Sequence, residues 1–407
     1  MKHNARLILL ALCLLVALSC AVAQDWPQWR GPNRDGVATG FTAPATWPAT
    51  LTQGWRVPVG AGDSSPALVG GKLYVGTRQG AEEVTLCLNA SDGQEVWRDH
   101  YEAPAVSGAA AREHSGLRST PTVGEGKVVT LGATGILSCL NAATGAVAWR
   151  NTAFTGVPQF YTAMSPLIAG GRVIAYLGGE ADGALVSFDL ATGAEKWRWA
   201  GEGPQYASPV LMTLDGAQVL VVLSAKSFIG VTLADGKLLW QVPFVPARMT
   251  YNAATPIVVG ETVIISGAGR GTKAFRIDKQ GDAYVPAELW TNADQAVQFC
   301  TPVLKDGLLY GVSNRGTLFC LNATSGQTAW ADATPHGRGF GAMVDAGTGV
   351  VAMLPDGTII VLKPTDAAYT PLAQYKVSDA ATYASPVLSG KSIYVRDANA
   401  LTLWTLP

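Results

Sequence analysis

The side chains that could carry acid–base or metal chemistry are few and scattered. Beyond His3, the histidines are His100, His114 and His336, too far apart along the chain to read as a ligand cluster. The acids Asp63, Glu113 and Asp345 stand singly, without the paired spacing of an acid/base dyad or a calcium cage. Gly267-Ala268-Gly269-Arg270-Gly271 has the glycine density of a phosphate loop, but it lacks the Lys-Ser/Thr that follows such a loop and opens no helix, so it reads as a β-turn. These residues predict no catalytic group and no metal.

The cysteines point the same way. Of six, Cys13 and Cys20 fall in an N-terminal leader, which leaves Cys87, Cys139, Cys300 and Cys320. Three of these occupy one repeated position, in Leu86-Cys87-Leu88-Asn89, Ser138-Cys139-Leu140-Asn141 and Phe319-Cys320-Leu321-Asn322. Equivalent places in separate repeats are too far apart for the ~4.4–6.8 Å Cα separation of a disulfide, so each reads as a small buried hydrophobe.

The leader has a basic start (Lys2, Arg6), an apolar run from Leu7 to Leu18 and the small-x-small site Ala21-Val22-Ala23, the features of a secretory signal peptide over residues 1–23. The mature chain then begins at Gln24 and is exported to the periplasm. The alternative is lipoprotein processing at Ser19-Cys20, with lipid on Cys20, although Ala17 stands where such sites usually have Leu. A membrane contact is expected only in that case, as an outer-membrane lipoprotein. Charge supports no other anionic partner: Lys+Arg 29 against Asp+Glu 30 gives −1. Without Lys2 and Arg6 the balance is 27 against 30, or −3, which is no footprint for nucleic acid.

What must position any site is a repeat. Asn89-Ala90-Ser91-Asp92-Gly93-Gln94-Glu95-Val96-Trp97 returns at Asn141–Trp149, Asp189–Trp197, Thr232–Trp240 and Asn322–Trp330, with Gly four and Trp eight residues after the opening residue. Two looser copies, Asp278–Trp290 and Lys363–Tyr375, carry four extra residues, read as turn. Each is preceded by Ser/Thr-Pro and two apolar runs about a glycine turn, at Pro66, Pro121, Pro166, Pro209, Pro256, Pro302 and Pro386; near Gly341 the proline is missing. Four short apolar runs split by turn residues make a four-stranded antiparallel meander, and a period of about 40–50 residues suits a propeller blade. The indole of each repeated Trp (Trp97, Trp149, Trp197, Trp240, Trp290 and Trp330, with Trp55 at the N-terminal side) is expected to pack on the neighbouring blade. Its N–H is expected to bond the turn that precedes it.

The last unit ends at Pro407 without a fourth strand, and Gln53-Gly54-Trp55-Arg56-Val57 supplies it. Joining the two ends removes exposed edges. The sequence therefore predicts an all-β, eight-bladed β-propeller over residues 51–407, closed by its N- and C-terminal strands. A lead-in over residues 24–50 would pack on it through Trp26 and Trp29.

The pattern Leu140-Asn141-Ala142-Ala143-Thr144-Gly145-x-x-x-Trp149, followed by Ser-Pro and a Gly-Gly-Lys/Arg turn, resembles the tryptophan-docking repeat of the quinoprotein dehydrogenases and of the β-barrel assembly lipoprotein BamB. The resemblance covers residues 51–405. Asp25-Trp26-Pro27-Gln28-Trp29-Arg30-Gly31-Pro32-Asn33-Arg34-Asp35-Gly36 resembles the lead-in of bacterial proteins with pyrroloquinoline-quinone-like repeats. The fold carries catalytic and purely binding members. A quinoprotein dehydrogenase would need calcium held by carboxylate and amide oxygens, a catalytic Asp and, in many members, a Cys-Cys pair; this chain has no Cys-Cys and no long insertions. The resemblance is therefore read toward a non-catalytic envelope scaffold, BamB-like and monomeric, that binds envelope proteins or extended peptide segments. No cofactor is expected. The alternative is a propeller that binds pyrroloquinoline quinone or another small molecule, an oxidoreductase at the extreme.

In a propeller the loop entering each innermost strand lies at one mouth of the channel. Three places before the prolines stand Asp63, Arg118, Ala163, Tyr206, Ala253, Phe299 and Tyr383, with Phe340 near the corresponding spot of the seventh unit. Arg338, His336, Tyr161 and Tyr251 lie slightly further out. An aromatic and Arg-bearing ring suits recognition; the alternative is that these rings pack between blades or close the channel.

Overall fold

The computed structural model describes residues 25–407; the leader, its cleavage site and Cys20 lie outside the described residues. The described chain forms eight four-stranded antiparallel sheets. Seven are made in sequence order, from blade 1 (67–102) through blade 7 (342–376). The eighth takes three strands from the C-terminus, Val387–Ser389, Ser392–Arg396 and Ala400–Thr405, and its outer strand, Thr52–Pro58, from the N-terminal side. Val57 pairs with Leu401 and Arg56 with Thr402, across a bulge between Gln53 and Arg56. The strand-exchanged eight-blade closure is thus the fold. Among the described residues no helix is long and apolar enough to cross a membrane.

Burial explains the sequence pattern. Second and third strands, such as Leu308–Val312 and Leu318–Asn322, are buried along almost their whole length, which is why they read as apolar runs. The outer strand Glu95–Glu102 alternates exposed and half-buried residues, as expected of a strand with one solvated face. The core lies between blades: Val173, Val186 and Phe188 of blade 3 pack in one cluster with Leu220, Val222 and Ile229 of blade 4.

The tryptophan repeat works differently in one respect from the sequence reading. Six of the seven indole N–H groups reach the next blade's turn, not the turn preceding them. Trp55 donates to Ala90 O, Trp97 to Ala142 O, Trp149 to Leu190 O and Trp197 to Leu233 O, at 2.9–3.1 Å. Trp290 and Trp330 do likewise, to Ala323 O and Thr365 O. Trp240 finds no acceptor for its N–H, because blade 5 carries one of the irregular copies. There the extra residues are not turn: they lengthen the strands to Gly271–Gln280 and Ala283–Asn292.

The strict glycine follows. At Gly145 φ is +74°, and a Cβ would come 2.6 Å from the Trp97 ring, so both conformation and space forbid a side chain. The residue opposite each Trp across the hairpin is small for the same reason: Cys87, Cys139, Ser187, Gly230, Ala274 and Cys320. Cys87, Cys139, Cys300 and Cys320 are free and buried, and burial pushes their thiols up to about 11.

Candidate functional site

Serine or threonine before each proline staples neighbouring blades around the axis. The Thr120 amide donates to Ser165 Oγ, Ser165 to Ser208 Oγ, Thr255 to Thr301 Oγ1 and Ser385 to Ser65 Oγ, all at 2.8–3.0 Å. The last of these spans the closure. The lead-in then threads the axis and engages every blade. Trp26 exchanges two backbone bonds with Leu68 of blade 1, and Pro27 O accepts from Val123 of blade 2. The Arg34 guanidinium donates to Ser165 O and Pro166 O of blade 3 and Pro209 O of blade 4. Trp29 Nε1 reaches Thr255 Oγ1 of blade 5 at 2.9 Å, and Arg30 holds Thr301 O and Pro302 O of blade 6. Gly36 and Ala38 bracket Asp345 of blade 7, and Gly40 and Thr42 bond Gly390 of blade 8. Arg30 and Arg34 are fully buried, and burial lowers them to about 10 and about 9; carbonyl oxygens replace the water they lose.

The thread makes the channel a cup. Above it, at the mouth, lies a cavity of about 710 Å³ whose lining includes Trp29 from the lead-in and Ser208, Thr255 and Thr301 from the staple ring. Asp63, Arg118, Tyr206, Phe299, Arg338, Phe340 and Tyr383 all line it, as do Ala163, Ala253 and Tyr251. Tyr161 and His336 do not: Tyr161 Oη holds Ser107 of the loop from blade 1 to blade 2, and His336 Nε2 bonds Asp332 at 2.6 Å.

The wall is a nearly continuous belt of rings. Phe160 and Tyr206 meet Tyr251 edge-on at 5.3 and 5.6 Å, and Tyr251 approaches Phe299 at 6.3 Å. Phe299 stacks on Phe340 at 4.4 Å, Phe340 meets Tyr383 at 4.9 Å, and Tyr383 meets His114 at 4.6 Å. Stacked and edge-on contacts of this kind fix the rings against one another around the cavity. Burial raises the phenol pKa of Tyr206, while its hydroxyl accepts from the Phe160 amide.

Polar side chains interrupt the wall. Asp63, 9% exposed, bonds His114 Nδ1 at 2.6 Å. Arg118 is spent on structure, donating to Phe160 O and His114 O, with burial lowering its pKa against Asp63 and two tyrosines. Arg338 is exposed and has no hydrogen-bond or ion-pair partner among the described residues. Gln298, 7% exposed, lines the cavity, and its buried Oε1 has no hydrogen-bond partner among the described residues. Sequence reasoning missed Trp29, Phe160, Gln298 and the Asp63–His114 pair; the pair's 51-residue separation gave no local signal.

A family profile described as "Outer membrane protein assembly factor BamB" matches residues 81–332. The chain belongs to the BamB family. BamB of Yersinia pestis is 22% identical over 377 residues, covering 87% of this chain and 78% of its own. BamB of Bordetella pertussis is 21% identical over 373 residues, covering 86% and 88%. The crystal structure of Moraxella catarrhalis BamB aligns with a TM-score of 0.65 at 16% identity, over 88% of this chain and all of that one. The quinohemoprotein alcohol dehydrogenase of Comamonas testosteroni aligns at 0.70 and 14% identity, over 94% of this chain and 80% of the enzyme; that likeness is of fold.

The cup of this BamB-family chain does not fit the calcium of a quinoprotein dehydrogenase. Calcium takes six to eight oxygens, several from carboxylates, whereas Asp63 is the one carboxylate in the described lining and is engaged by His114. Among the described residues no three of His, Cys, Asp and Glu gather as a metal site; the Glu113 side chain lies outside that description.

Proposed function

We propose that this protein is a non-catalytic, exported propeller of the cell envelope that binds another envelope protein through its mouth face, a scaffold of the BamB kind. The observation that carries the reading is a blind, aromatic-walled cup whose apolar surface continues onto the rim, where Met249 is 71% and Phe299 37% exposed. Large exposed apolar groups around an aromatic centre are what a protein interface presents before it is covered. Membership of the BamB family supports the same reading. The chain works as a monomer, needs no cofactor, and has no affinity for nucleic acid.

Immobilised protein should retain a specific envelope protein from a detergent extract, and Met249→Asp should lose it. The rival reading, a small planar ligand such as pyrroloquinoline quinone stacked over Trp29, draws on the same aromatic lining. Saturable absorbance changes on adding the quinone with calcium, together with dye-linked alcohol oxidation, would replace the scaffold by that reading.

A further inference from the structure

We infer that the cup receives one aromatic side chain of an extended, acidic segment of the partner, with Arg338 pairing its carboxylate and Gln298 its backbone. This rests on the mouth being the partner face. Three independent features converge on that occupant. The belt from Tyr251 through Phe299 and Phe340 to Tyr383, over a floor containing Trp29, offers ring faces and edges to an inserted ring. About 710 Å³ is within the ~300–1,000 Å³ of sites that enclose a compact ligand, so the cup takes a side chain with its flanking backbone and not a folded element.

Charge gives the sign of the neighbour. The chain as a whole is at −1, but the lining holds Arg118 and Arg338 against Asp63 alone. Asp63 is satisfied by His114, whereas Arg338 has no partner among the described residues. A guanidinium fork at the edge of an apolar cup is a carboxylate receptor.

The buried, unpartnered Oε1 of Gln298 supplies the third term. As an acceptor it complements the N–H of a peptide group. A buried polar group without a partner costs free energy that an occupant recovers on pairing with it. The exposed side chain of Met249 extends the apolar surface beyond the cup, which favours a chain that continues over the rim over a small molecule that ends inside it.

The test titrates the full chain with fluorescently labelled Ac-Ser-Trp-Glu-Ser-NH2, and with the same peptide carrying Lys for Glu or Ala for Trp. The expected result is saturable binding of the Trp-Glu peptide, weakened ~10-fold or more by either peptide change and by Arg338→Glu, and less strongly by Gln298→Leu. Arg338 is exposed, so its variant should keep the parent's melting curve. Equal binding of all three peptides, indifference to Arg338→Glu, or equally tight binding of free indole-3-acetate each overturns the proposal. If the peptides fail while the envelope protein is still retained by the mouth, the occupant is wrong and the docking face stands; if retention is also insensitive to Met249→Asp, the docking face falls with it.

Discussion

Trp149 shows how much one residue of the repeat carries. Its ring lies beneath Gly193, where a Cβ would come 2.7 Å from it, and its N–H satisfies Leu190 O at 2.9 Å. Trp149→Ala should therefore cost about 3–5 kcal/mol through lost burial and a cavity, read as a shift of the denaturant midpoint. Arg34→Met should cost about 2 kcal/mol or more, at roughly 1–3 kcal/mol for each carbonyl left unpaired, those of Ser165 and Pro209, while Pro166 O keeps the Thr122 hydroxyl. Glu83 offers a pH test. Burial raises its carboxyl above the ordinary 4.5, against the Tyr101 hydroxyl, the Ala133 amide and Arg78. The folded state thus holds that proton more tightly than the unfolded chain. The resulting stabilisation is complete below the unfolded value and is lost as pH rises through the folded one. Glu83→Gln keeps a neutral group there, so its stability relative to the parent should climb as pH rises from the ordinary carboxyl value of 4.5 through the higher folded one. A fall over that range would mean that the pairing with Arg78, 4.0 Å away, outweighs burial.

At the scale of elements, closure rests on the strand Thr52–Pro58. Deleting residues 50–58 should abolish soluble folding, because it strips the outer strand from blade 8 and leaves Ala400–Thr405 as a bare edge; a stable monomer with an unchanged melting curve would contradict this. The blades were legible in the sequence because their constraints are local. Gly145 and Trp149 must stand four residues apart for the glycine to lie over one indole and the Trp to reach the next turn, and Pro166 must follow a hydroxyl that staples the adjacent blade. Such spacings survive in one dimension. The indole's acceptor was not legible: Trp97 bonds Ala142, 45 residues on, and nothing near Trp97 distinguishes that carbonyl from one in its own turn. The lead-in was half legible. Two tryptophans and two arginines in twelve residues mark a segment that matters, but their partners are backbone carbonyls and hydroxyls, which every sequence has everywhere.

For the whole molecule, the thread and the ring depend on each other. The lead-in bonds all eight blades and floors the cup, so a chain lacking residues 25–48 should keep its β content yet melt earlier and lose the cup. The mouth could be located from sequence, because the residue three places ahead of each proline stands at the entry to an innermost strand and lines the cup. Its chemistry could not, since Gln298 and the Asp63–His114 pair acquire meaning only when eight loops converge. The account stands on the mouth being the face that meets a partner. A photo-crosslinking residue placed at Met249, and in a second version at Ser91 in a turn at the other end of blade 1, tests this in cells that make the protein. The prediction is one discrete protein adduct from position 249, none from position 91, and loss of the adduct on adding Arg338→Glu. Adducts of equal yield from both positions, or from position 91 alone, would contradict it.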